Sequence, residues 1–326
     1  MKIIASLFLA LCLIFTWNIH GKEAAQQVPG FIDNDGYLQL ECKLSSIERK
    51  SKSARNKECH LYDRANRSNE TDVLSLNWSG YSAFTGTKQN PDPTYGTVTQ
   101  ASGSWIVPEV IASSSGDTYS AAWVGIDGYV SPVVEQIGTE HDVIDGVPTY
   151  YAWFELYPAD SQMIEGFPVE EGDKIEAQVT YEGLDGATNN LFQLDIKNHT
   201  KKVKFAILQS TLPGNPAHLS SANWIIEAPG ISVPTNCVGF LPLANFGEIF
   251  FKNCQATINE RTGAINDKHW TYASISMVTT GGLIKDITSD LTTRCRHCKD
   301  KKNCESAFSV LWQYTGPFPY DTFCGS

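Results

Sequence analysis

Residues 121–157 read AAWVGIDGYVSPVVEQIGTEHDVIDGVPTYYAWFELY. Three features crowd into this stretch. An apolar run, Trp123-Val124-Gly125-Ile126, ends in a carboxylate, Asp127. A lone amide, Gln136, sits beside Glu135 between Val134 and Ile137. An aromatic ladder, Tyr150, Tyr151, Trp153, Phe154 and Tyr157, carries an acid, Glu155. A core needs Trp and Val but not Asp, Gln and Glu threaded among them, because a buried polar group costs free energy unless it is hydrogen-bonded. The stretch therefore reads as a polar network between two sheets or as the floor of a cleft.

The surrounding sequence supplies the sheets. Polar and apolar residues alternate over 174–181, 191–196, 202–207 and 272–277, the pattern of strands with one buried face. Between them lie turn-forming runs such as Gly183-Leu184-Asp185-Gly186 and Pro213-Gly214-Asn215-Pro216. No long segment carries an amphipathic helical period. Strands joined by turns, without alternating helices, predict an all-β protein, an antiparallel β-sandwich or barrel.

The chain has 326 residues, 42% of them hydrophobic and 11% aromatic, enough for a sizeable core. Its net charge of −11 argues against nucleic acid as a partner, which demands a Lys/Arg surface. It suits work at low pH, where protonated carboxylates no longer repel one another. Lys2 followed by an apolar run to Trp17 reads as a secretory signal over residues 1–21, with a retained N-terminal anchor as the alternative. No later stretch is long and apolar enough to span a membrane, so the expected location is extracellular or an acidic endomembrane compartment.

Residues 22–76 form a polar segment with a basic cluster, Arg49, Lys50, Lys52, Arg55 and Lys57. It reads as a pro-segment docked by charge on an acidic body, or as a solvated linker or small module. The β-rich body spans 77–283, and 284–326 is a cysteine-rich extension whose last aromatic residues dock on the body as a strand or clasp. Outside the signal there are eight cysteines: Cys42, Cys59, Cys237, Cys254, Cys295, Cys298, Cys304 and Cys324. An even number in an exported chain predicts disulfides, and proximity suggests Cys42–Cys59, Cys237–Cys254 and two bridges among the last four. Cys295-x-x-Cys298 beside His297 and Cys304 lacks a second clean pair, so no metal and no cofactor are expected. Asn66, Asn69, Asn77 and Asn198 each open an N-x-[ST] sequon.

Common hydrolase signatures are missing. There is no G-x-S-x-G elbow and no H-E-x-x-H helix, nor the Asp-Thr-Gly or Asp-Ser-Gly of paired-aspartate enzymes. What remains is carboxylates, an amide and aromatics. A carboxylate walled by apolar side chains can take a proton from water and return it to a leaving group. A carboxamide can hold water through its carbonyl and stabilise an oxyanion through its NH₂.

From Asn77 to about Val278 the chain resembles the glutamic peptidases, or eqolisins. The motifs come in order: Asn77-Trp78-Ser79-Gly80, Gly103-Ser104-Trp105-Ile106-Val107-Pro108, Trp123-Val124-Gly125-Ile126-Asp127-Gly128, Glu135-Gln136-Ile137-Gly138, Tyr150 through Pro158, Trp224-Ile225-Ile226-Glu227 and Leu241 through Gly247. The ordered set is far more specific than any one block. The resemblance implies a sandwich of two large antiparallel sheets, concanavalin A-like, and an acid endopeptidase made with a basic pro-segment and acting on proteins or peptides as a monomer. It implies Gln136 and Glu227 as the catalytic pair, with Trp123, Asp127, Tyr150, Trp153, Glu155 and Tyr157 around the substrate. The chain departs from the pattern at Ile137, Tyr151, Leu156 and Asn223, which bears on substrate preference. Two other classes stay open on the residues alone: a carbohydrate-binding or carbohydrate-cleaving sandwich using Glu155 and Glu227, and an inactive relative that only binds.

Overall fold

A computed structural model describes residues 70–85, 97–112, 116–186, 188–232, 237–295, 304–314 and 321–324, with four short N-terminal strands. The signal, Cys42, Cys59, Cys298, Asn66 and Asn69 lie outside the described residues. Every regular element described is a strand. Four short ones, β1 (Gly30–Ile32), β2 (Leu38–Leu40), β3 (Leu44–Ser46) and β4 (Tyr62–Asp63), precede β5 (Glu70–Ser75). The body runs β6 (Trp78–Phe84), β7 (Val98–Ile106), β8 (Ala121–Ile126), β9 (Val134–Ile144), β10 (Val147–Tyr157), β11 (Gln162–Ile164), β12 (Lys174–Asp185), β13 (Asn189–Asn198), β14 (Val203–Ser210) and β15 (Ser221–Glu227). It continues through β16 (Gly230–Ser232), β17 (Cys237–Phe240), β18 (Glu248–Ile258), β19 (Arg261–Ala264) and β20 (Thr271–Val278). The tail adds β21 (Ile284–Thr288), β22 (Thr292–Cys295), β23 (Cys304–Trp312) and β24 (Asp321–Cys324). The four alternating segments of the sequence are β12, β13, β14 and β20.

The strands form two large, mainly antiparallel layers of a β-sandwich. One runs β3–β11–β10–β9–β8–β15–β6–β20–β5–β4. The other runs β23–β18–β7–β12–β13–β14–β2–β1. Strand β21 pairs with both β20 and β23 and so joins the layers along one seam. The two parallel pairs, β5–β20 and β14–β2, both bring in N-terminal strands. Segment 22–76 is thus partly woven into the body, with β5 between β20 and β4.

The main core lies between the layers and includes Tyr81, Trp105, Phe154, Phe192, Trp224 and Phe251. The first layer is buried on its other face as well. There a second cluster holds Trp78, Phe84, Trp123, Val134, Trp153, Ile225 and Ile275, with Tyr129, Tyr151 and Tyr157 against it. This explains why β6, β8 and β15 do not alternate: every residue in them is buried. Gly80 shows how close the strands lie, because a Cβ there would stand 2.0 Å from the Trp224 carbonyl oxygen.

The tail contributes to this core. Phe308 on β23 stacks on Phe251 with ring centroids 5.0 Å apart and meets Tyr81 edge-on at 4.8 Å. The final strand β24 pairs with β17, setting Cys324 opposite Cys237, and β22 sets Cys295 opposite Cys304. Cys304 is disulfide-bonded. The expected Cys237–Cys254 pair does not form: Cys254 is a free thiol enclosed in the core, and burial pushes its pKa up. Proximity in sequence misled here, because β18 carries Cys254 into the sandwich interior while Cys237 lies in the separate small sheet β16–β17–β24.

Two sequons are also corrected. The Asn77 and Asn198 side chains are buried and hydrogen-bonded through their amide nitrogens, so a glycan on either does not fit this fold.

Candidate active site

Parity along the strands selects the residues that meet. On β9, Gln136 points to the same face of its layer as Gly138 and Glu140. It lies opposite Glu155 of β10 on one side and Gly125 of β8 on the other. On β15, Glu227 shares that face with Ile225 and lies opposite Trp78 of β6 and Ala121 of β8. Strand β8 runs between them and offers Trp123, opposite Gly138 and Ile225. Gly138 is the gap that accommodates this indole: a Cβ there would come within 2.6 Å of Trp123 Cβ and 2.2 Å of the Ala122 carbonyl.

Both oxygens of Glu227 receive hydrogen bonds. Trp123 Nε1 donates to Oε2 at 2.9 Å and Asn77 Nδ2 donates to Oε1 at 3.2 Å. The carboxylate is 4% exposed and sits at the end of its strand. Gln136 donates from Nε2 to Glu155 Oε2, which fixes the amide plane. Its Oε1 has no hydrogen-bond partner in the structure, although it is buried. A buried amide oxygen without a donor is uncommon and marks a place where a water or a substrate N–H fits. Trp78 meets Trp123 edge-on with centroids 5.0 Å apart, and Trp153 belongs to the same cluster, with Tyr151 and Tyr157 at its margin.

The fold therefore gathers Gln136, Glu227, Trp123, Trp153, Glu155 and Tyr157 on one face. It does not gather the other two expected residues there. Tyr150 has the opposite parity and packs against the main core, where its hydroxyl accepts the Val110 N–H at 3.1 Å. Tyr151 takes the cleft-side position in its place. Asp127 is wholly enclosed: its carboxylate accepts the backbone N–H groups of His218, Leu219 and Ser220 at 2.7–2.8 Å and the Ser220 hydroxyl at 2.5 Å. Burial raises its pKa despite these bonds. Asp127, itself at φ 68°, thus anchors the loop that leads into β15 and the strand that ends in Glu227.

Sequence reasoning missed Asn77 as a neighbour of Glu227. The Asn-Trp-Ser-Gly block drew attention to it, but only the register of Trp78 against Glu227 shows where its side chain goes. It also missed Glu140 and Asp142, buried on the same strand as Gln136. No group of side chains among the described residues is suited to hold a metal ion.

Residues 76–295 match the family model described as the peptidase A4 family. The chain is 28% identical over 191 residues to Aspergillopepsin-2 of Aspergillus niger, a match taking in 52% of this chain and 63% of that protein. It is 28% identical over 172 residues to Scytalidopepsin B of Scytalidium lignicola, with 51% and 63% covered. It thus spans less than two thirds of the length of these curated relatives. Its fold is similar to the crystal structure of scytalido-glutamic peptidase with a peptide-based transition state analog. The TM-score is 0.54 at 22% identity, covering 73% of this chain and 98% of that one. It is also similar to SCP-B, an eqolisin family member in complex with the tripeptide Ala-Ile-His, at a TM-score of 0.52 and 20% identity over 73% of this chain and 98% of that one.

Proposed function

Because the chain belongs to the peptidase A4 family, the eqolisins or glutamic peptidases, we propose that it is an acid endopeptidase in which Glu227 and Gln136 hydrolyse a peptide bond without metal. Glu227 takes a proton from water as the water oxygen attacks the scissile carbonyl carbon. The amide of Gln136 stabilises the oxyanion that forms, and Glu227 then passes the proton to the departing amine nitrogen. Trp123 holds Glu227 during this exchange, and Glu155 sets the orientation of Gln136. The apolar face around Trp153, Tyr151 and Tyr157 receives the substrate. That SCP-B and scytalido-glutamic peptidase carry a peptide or a peptide-based analog fits this choice of ligand.

The observation that carries the reading is the carboxylate of Glu227, buried and held by two donors on the same sheet face as the unpartnered Gln136 carbonyl. The experiment is a protein-cleavage assay across acid pH with Glu227→Gln and Gln136→Ala. Both are expected to abolish cleavage, and chelators are expected to leave the parent chain active. Full activity in either variant would sink the pair. We place the enzyme outside the cell or in an acidic compartment and read the basic N-terminal segment as its pro-segment. Incubating the precursor at low pH should then release a new N-terminus upstream of the body; a precursor that stays intact yet fully active would count against this.

A further inference from the structure

The turn between β5 and β6 is two residues long, Leu76 and Asn77, yet it spans β20, which pairs with β5 on one side and β6 on the other. It is tightly held. Ser75 Oγ accepts the backbone N–H groups of Asn77 at 3.3 Å and Trp78 at 3.1 Å, and its hydroxyl donates to Asn77 Oδ1 at 3.4 Å. The Leu76 carbonyl accepts Lys285 Nζ at 3.1 Å, and the Asn77 carbonyl accepts the Ala228 N–H at 2.9 Å. Ser75, Asn77 and Glu227 are 2%, 3% and 4% exposed, so these bonds operate away from bulk water, where a misdirected donor is costly.

The serine contact decides which way the Asn77 amide faces. With its hydroxyl on Oδ1, the nitrogen must point at Glu227, where it donates to Oε1 at 3.2 Å. We propose that Asn77, oriented by Ser75, is a positioning residue for Glu227, so that strand β5, read from sequence as the end of the pro-segment, is a working part of the active site. This rests on the assignment of Glu227 as the catalytic base. The Asn77 donor fixes Oε1, and with Trp123 on Oε2 it leaves the buried carboxylate one orientation. Glu140 stands two strands away at the same level, through Ala121, and Lys285 faces the turn from β21. Maturation must accordingly spare β5, placing the cut before Glu70.

The test is steady-state kinetics of the acid-processed protein. Asn77→Ala should lower kcat about tenfold, with KM nearly unchanged. Ser75→Ala should lower kcat by less, again at unchanged KM, and Ser75→Thr, which keeps a hydroxyl, should restore it. If Asn77→Ala does not fold, the Ser75 pair alone decides. N-terminal sequencing of processed protein should place the first residue at or before Glu70. An unchanged kcat in both Asn77→Ala and Ser75→Ala, or a processed N-terminus after Ser75 in active enzyme, would overturn the proposal. Residual activity in Glu227→Gln would instead overturn the catalytic assignment on which it stands.

Discussion

The indole N–H of Trp123 lies 2.9 Å from Oε2 of Glu227, although 104 residues separate them. The contact crosses from β8 to β15 and leaves the glutamate with one geometry. Trp123→Phe keeps the ring and removes the donor. A hydrogen bond to a charged group contributes about 1.5–3 kcal/mol, so kcat/KM should fall about 10- to 100-fold. The melting temperature should fall as well, because Oε2 stays buried while losing its indole donor, which costs about 1–3 kcal/mol. Steady-state kinetics with a melting curve checks both; an unaltered kcat/KM would separate Trp123 from the chemistry.

Two buried titratable groups oppose each other as pH changes. Asp286 is pushed up to about 7 by burial, partly offset by hydrogen bonds from Ser79 and the Met277 N–H and by the charge of Lys285. Its folded-state value lies above its unfolded value, so the stability it contributes is complete below pH about 4 and lost as pH rises through 7. The loss is on the order of 4 kcal/mol. Asp286→Asn retains an acceptor for both donors and should make urea-unfolding stability at pH 8 higher than in the parent, with little gain at pH 4.

His141 works in the other direction. Burial lowers it from 6.5 to about 3. Its ring contacts Thr139 Oγ1 through Nε2 at 2.8 Å, and Trp105 Nε1 donates to the same hydroxyl at 2.9 Å. The stability tied to its neutral form is present above pH 6.5 and lost as pH falls towards 3, by up to about 5 kcal/mol. His141→Gln should flatten the acid side of the stability curve. If the slope between pH 6 and 4 is identical in the variant, this histidine is not the group responsible.

Much of the fold was legible because a half-buried strand leaves its period in the sequence: β12, β13, β14 and β20 follow the alternation within a few residues of each end. The site was half legible. Gln136 and Glu155 lie in one stretch and meet by hairpin register, and Glu227 emerged from an ordered series of blocks. Tyr150 and Tyr151 were harder to tell apart, because adjacent aromatics differ only in which face they take, and a register decides that. Asp127 shares the stretch that holds Gln136, and no local pattern shows that the loop at 218–220 wraps its carboxylate. Strand β5 was illegible, because it is placed by pairing with β20 far along the chain, for which no local pattern exists. The tail read as a strand or clasp, but the place of β23 between β18 and β21 has no sequence signal.

Gly138→Ala should be among the most damaging single substitutions in the cleft sheet. The added methyl would collide with backbone at Ala122 and with Trp123. Overpacking of a tight core typically costs about 1–3 kcal/mol, and relief here requires the sheet that carries Gln136 and Glu227 to shift. We expect a lowered melting temperature together with lost proteolysis. A fully active, equally stable variant would show that the strands can part without consequence.

Phe308 gives a cleaner measure of what the tail contributes. It is buried between Phe251 and Tyr81, and Phe308→Ala should destabilise by about 3–5 kcal/mol. Cys254, enclosed nearby in the main core, should resist alkylation until the protein is unfolded, and non-reducing peptide mapping should find it outside every disulfide.

The insertion of β23 between β18 and β21 also has a temporal meaning. Without that strand, the aromatic rings of Tyr81 and Phe251 lose their Phe308 cover and the seam between the layers stays open. These pairings join segments well apart in sequence, which makes closure slow. Until β23 docks, the uncovered edge of β18 is a template on which another chain can pair.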